Sequence, residues 1–120
     1  MRSAMTPRPI SPHELEVIRQ ALDKCPTDFA SATHRSIAPA LVVTSLCGCG
    51  CDTVEFRNTA EDEVPSIVAD GLGETPDGSG VGLIVFGTPQ EITCLEVYSF
   101  DDVPAKLPKL ESIRPFGSDQ

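Results

Sequence analysis

After one amphipathic helix this chain offers only short β-type runs, and no helical stretch lies between them. The runs are "ALVVTSL", "TVEFR", "PSIVADGL", "VGLIVF" and "ITCLEVYSF", between residues 40 and 100. Parallel neighbours need a long crossover, usually a helix, whereas antiparallel ones need only a turn. The order of segments therefore predicts an α+β domain in which an N-terminal helix packs on a mostly antiparallel sheet of about four or five strands.

The helix is marked at both ends. Ser11 suits the N-cap, Pro12 the first helical position, and Glu14 closes a capping box three residues after Ser11. Leu15, Ile18 and Leu22, joined by Val17 and Ala21, make one apolar stripe, and Pro26 ends the helix near Lys24 or Cys25. Residues 1–10 carry two prolines and two arginines without periodicity and read as a flexible arm. The domain proper is expected over 11–114, its extended segment from residue 101 pinned at Leu107, Leu110 and Ile113, with 115–120 as a frayed tail. "VGLIVFGTPQEITCLEVYSF" reads as a hairpin turning around residues 88–91.

The net charge of −9 is distributed unevenly. Residues 1–50 hold five basic and four acidic groups; residues 51–120 hold four basic and fourteen acidic groups. Nucleic-acid binding rests on Lys and Arg displacing counterions, and anionic membranes attract the same residues, so neither partner is expected. A protein partner with a basic surface fits the field. No apolar run approaches the roughly 20 residues of a membrane span, and the N-terminal stretch has no apolar core of a secretory signal, which places the chain in the cytoplasm. An odd count of five cysteines argues against a closed disulfide framework. No glycine-rich stretch leads into Lys-Ser/Thr and a helix, so a phosphate loop is not expected, and no cofactor is implied.

The stretch "LCGCGCDTVEF" places Cys47, Cys49 and Cys51 on either side of Gly48 and Gly50. Three readings compete. A zinc clamp needs about four ligands with Zn–S near 2.3 Å. In an extended strand, alternate Cα atoms would be roughly 6.7 Å apart, so the glycines would have to fold the segment. Cys94, Cys25, His34 and Asp52 are the candidates for a fourth ligand. A reactive thiolate needs a cation, a base or a helix N-terminus, whereas Asp52 and Glu55 are acidic neighbours. The third reading, which the composition favours, is packing: small thiols buried in a tight bend of the sheet.

His13 falls in the first helical turn and reads as solvated. His34, beside Arg35 in a loop, is the better site candidate, with a surface role as its plain alternative. Strand alternation puts Glu96 on one face with Cys94 and Tyr98, so Glu55, Glu96 and Tyr98 are the candidate lining of a shallow polar groove. Asp101 and Asp102 lack the spaced oxygen ligands and closing Glu of a calcium loop.

The segments "CGCGCDTVEF" and "ITCLEVYSFDDVP" together resemble a group of small bacterial proteins without an assigned function. The resemblance spans about residues 40–108 and falls on Cys49, Cys51, Leu95, Glu96, Val97 and Tyr98. It implies a bacterial origin and no catalytic residue, cofactor or substrate. The expectation is a non-enzymatic acidic interaction module, such as an inhibitor or immunity-type partner of a basic protein, or a homodimer through a sheet edge or face. The alternative is a small metal- or thiol-dependent enzyme or sensor using Cys47, Cys49 and Cys51.

Overall fold

The computed structural model describes residues 2–59, 62–101 and 103–116. Its elements, in order, are β1 (Arg2–Pro9), α1 (Pro12–Lys24), α2 (Ala32–Ile37), β2 (Val42–Cys47), β3 (Val54–Phe56), β4 (Ser66–Glu74), β5 (Gly80–Thr88), β6 (Glu91–Ser99) and β7 (Arg114–Pro115). Short 3-10 turns precede β2 and β7. The strands form one antiparallel sheet in the order β1-β2-β3-β6-β5-β4-β7. The class is thus α+β as expected, but the sheet has seven strands rather than four or five.

Both additional strands lie at the sheet edges. Residues 2–9 are not a free arm, because Arg2–Pro9 pairs with β2, with a register shift between Ala4 and Arg8. Proline cannot donate to a ladder, so a Pro-containing strand is tolerated at an edge, and the prolines that hid this strand from periodicity also fit its position. At the other edge, Arg114 and Pro115 pair with Leu72 and Gly71, so the expected fraying does not begin at residue 115. Residues 117–120 of the expected tail lie outside the described residues, as do Met1 of the expected arm and Asp102.

Helix α1 forms where its signals place it. Ser11 Oγ accepts from the Glu14 N–H, and the Glu14 carboxylate accepts from the Ser11 N–H at 2.9 Å. Val17, Ile18, Ala21 and Leu22 are buried against the sheet face that carries Val43, Val54, Phe56, Leu83, Val85 and Leu95. A second helix, α2, occupies what reads as a loop in the sequence, beginning at Ala32 with Ser31 as its N-cap.

Glu14 also ties β1 to α1. Its two oxygens accept from Arg8 Nη1 at 3.0 Å and Nη2 at 2.8 Å. Burial pushes the Glu14 carboxyl up, but Arg8 and Ser11 outweigh burial and hold it below the usual carboxylate range. A carboxyl depressed in the folded state contributes stability above its unfolded pKa of about 4.3, and that contribution is lost as pH falls through the folded value. Glu14→Gln should therefore destabilise the chain by about 1–2 kcal/mol at pH 7, a figure discounted for the half-exposed Arg8. Urea unfolding should show this deficit shrinking as pH falls below about 4.3 and through the lower folded value, where the wild type loses the same charge.

The opposite face of the sheet carries the alternate residues. In register across β4, β5 and β6 lie Asp70, Ile84 and Glu96, then Leu72, Gly82 and Tyr98. The Tyr98 ring sits on Gly82, where a Cβ would fall 2.1 Å from the ring Cζ. Phe100 meets Tyr98 edge to face at 5.6 Å.

Candidate functional site

Between β2 and β3 the chain projects as a loop beyond the sheet. Its base is held by five backbone and side-chain hydrogen bonds. The Cys47 N–H donates to Thr53 O at 3.3 Å, and the Asp52 N–H donates to Ala105 O at 2.8 Å. The Thr53 hydroxyl is buried and serves β6 twice, accepting from the Val97 N–H at 2.9 Å and donating to Val97 O at 3.1 Å. The Leu107 N–H donates to Asp52 Oδ2 at 2.7 Å. At the tip, Gly50 has φ +93°, a left-handed conformation that glycine adopts without steric cost.

This turn brings the three sulfurs together. The Sγ atoms of Cys47, Cys49 and Cys51 all lie within 4.8 Å of one another, with Cys47 and Cys49 at 2.9 Å. The Cys51 N–H points at Cys49 Sγ at 3.4 Å. The glycines thus overcome the spacing that an extended strand would impose. The packing reading is corrected at the same point: Cys49 is exposed and Cys47 and Cys51 are half-buried. The loop leaves Cys49 in solvent and the other two thiols at its rim instead of folding all three into the sheet. Cys51 alone packs partly against the core.

The electrostatics differ from those expected from Asp52 and Glu55. Asp52 is turned towards the Leu107 N–H and the ammonium of Lys106, whose Nζ is 3.9 Å from Oδ1. Lys106 Nζ also donates to Gly50 O at 2.8 Å, which puts a cation at the loop. Glu55 accepts from Ser45 Oγ at 2.8 Å on the open face. Hydrogen bonds from the Cys49 thiol, then from the Cys49 backbone and the Cys51 thiol, bring Cys47 down to about 7, and the same sharing raises Cys49. Burial, and then Asp70, raises Cys25. In metal-free protein, alkylation of Cys47 by iodoacetamide should rise steeply as pH increases through about 7, while Cys25 stays unmodified; peptide mass mapping reads both.

The remaining candidates separate into two places. Glu96 and Tyr98 line a depression of about 430 Å³ together with the three thiols. Glu55 and Cys94 line an adjoining one of about 450 Å³, which shares Glu96. The groove expected from strand alternation is therefore two shallow depressions joined at Glu96. Burial, then Asp70 and Glu96, raises the Tyr98 phenol. His34 belongs to neither place and is not at the surface. It is fully buried, its Nδ1 accepts the Ser31 N–H at 3.1 Å, and its Nε2–H donates to Thr88 O at 2.7 Å. Cys25 and Cys94 are buried and lie outside the thiol cluster.

Lys106 and Thr53 were not legible as site residues, since each acts across more than forty positions of sequence. Among the described residues no helix is long and apolar enough to cross a membrane. No family model matches the chain, and neither a curated protein nor a solved structure does.

Proposed function

We propose that this chain acts through Cys47, Cys49 and Cys51 as a thiol-dependent metal-binding protein or sensor. One observation carries the reading: three sulfurs from five consecutive residues converge within 4.8 Å at an accessible loop tip. Thiolates are soft donors, and a cluster of them favours soft or borderline cations over Mg²⁺ or Ca²⁺. Protein hydrogen bonds close the loop base, which fixes where the loop leaves the sheet. Cd²⁺ is a suitable spectroscopic probe because its thiolate complexes absorb in the near ultraviolet. Titrating the reduced chain should give a charge-transfer band that saturates at one equivalent, with the three thiols protected from alkylation. No band, and alkylation at the same rate with and without Cd²⁺, would sink the proposal.

A second reading rests on the open sheet face. Ile67 is partly exposed, and Ile84 and Phe86 are half-buried beside Asp70, Glu55 and Glu96. An apolar strip framed by carboxylates favours a protein partner with a basic surface, and an inhibitor or immunity-type role would use such a face. Binding to a lysine-rich bait that weakens steeply with salt supports this reading; capture unchanged at high ionic strength removes it.

A further inference from the structure

We propose that the thiol cluster is a three-coordinate site for a soft monovalent cation of the Cu(I) class, carried as exchangeable cargo. This rests on the thiol–metal reading above and narrows it to an ion class and a coordination number.

The donor count decides between ion classes. Among the described residues, no imidazole nitrogen or carboxylate oxygen joins the three sulfurs within the distance that groups them. The nearest carboxylate in sequence is engaged, since Asp52 accepts from the Leu107 N–H and faces Lys106. His34 is committed to Ser31 and Thr88 inside the domain. A closed structural zinc site takes four protein ligands, so zinc here would keep a position for water. Cu(I) is a closed-shell ion that accepts two or three thiolates as a complete set, and thiolate softness favours it. With metal–sulfur bonds of about 2.3 Å, a trigonal site needs sulfurs roughly 4 Å apart. The present cluster brackets that spacing, with Cys47 and Cys49 Sγ at 2.9 Å and all three sulfurs within 4.8 Å.

Location decides between a structural and a carried ion. Of the three thiols only Cys51 packs partly against the core formed by α1 and strands β2 to β6, and Cys49 is exposed. The ion is therefore not needed to fill a space or join two elements. Loading forms metal–sulfur bonds and releases the thiol protons to solvent, with no change in oxidation state. Unloading is ligand exchange: each bond to an incoming thiolate of an acceptor forms as a bond to Cys47, Cys49 or Cys51 breaks. The depression that holds the thiols also presents Glu96 and Tyr98, so an acceptor approaching the ion meets the open sheet face.

The test uses the full reduced chain under anaerobic conditions. Cu(I) and Zn²⁺ are each titrated against a competing chromophoric chelator, and X-ray absorption is recorded on the Cu(I)-loaded protein. One Cu(I) per chain is expected, with three sulfur neighbours and no nitrogen or oxygen, and Zn²⁺ held at least about a thousandfold more weakly. Far-UV circular dichroism of the metal-free chain should match that of the loaded one. A fourth nitrogen or oxygen ligand, more than one Cu(I) per chain, or a sheet that forms only with Zn²⁺ would overturn the inference while leaving the thiol–metal reading in place. Failure of both ions to bind would remove both. The triple Cys→Ser variant, its fold checked by far-UV circular dichroism because Cys51 packs partly against the core and Cys47 ends β2, serves as the non-binding control.

Discussion

Replacing His34 by Ala should unfold much of the population at moderate temperature without touching the thiol loop. The side chain is fully buried and packs against the Phe29 ring at 5.7 Å. It serves two distant backbones: Nδ1 caps the start of α2 through the Ser31 N–H, and Nε2–H closes the Thr88 carbonyl at the end of β5. Alanine leaves that buried carbonyl without its donor, removes the cap and opens a cavity. Loss of a buried hydrogen bond and of packing together should cost about 3–4 kcal/mol. For a domain of this size that lowers Tm by roughly 10–15 °C. Gln, which keeps an N–H at similar reach, should recover part of the loss. Thermal melts of the two variants decide the matter, and near-wild-type stability of His34→Ala would show that the imidazole carries no structural load. Metal titration of the same variants at low temperature should match the wild type.

The contrast between His34 and the cysteines shows which parts of the architecture were legible. Helix α1 was readable because its signals are local: Ser11, Pro12 and Glu14 specify an N-terminus within four residues. The β5–β6 hairpin was readable for the same reason, and Thr88 and Glu91 pair across it as its turn requires. The edge strands were not, because β1 depends on pairing with β2 about forty positions away and contains prolines that suppress any alternation. The partition of faces on β6 followed from alternation, which is why Glu96 and Tyr98 were found together. The burial of the thiols was misjudged because cysteine is usually an interior residue, and the contacts that hold the loop base, to Ala105 and Leu107, lie more than fifty positions away. His34 looked like a surface histidine because its contact with the end of β5, Nε2–H to Thr88 O, lies 54 positions away.

Replacing Cys49 by Ser should produce the reverse pattern: a large loss of metal affinity with no loss of stability. Cys49 is the exposed member and lies between the other two sulfurs in sequence, accepting the Cys51 N–H and lying 2.9 Å from Cys47. Serine keeps the volume and the turn but offers a hard, protonated oxygen where a soft thiolate is required. Removing one of three thiolate ligands should weaken Cu(I) binding about a thousandfold, equivalent to ~4 kcal/mol. The urea midpoint should move little, because an exposed loop side chain makes few contacts that the unfolded chain lacks. Cys94→Ser is the matched control: its thiol is buried outside the cluster, so affinity should stay at the wild-type value whatever happens to stability. Competition titration of the two variants reads the difference directly. Equal affinities for Cys49→Ser and Cys94→Ser would mean that the cluster is not the site, and a Cys49→Ser protein that no longer folds would mean that the loop supports the sheet, contrary to the hydrogen bonds from Thr53, Asp52 and Leu107 that close its base.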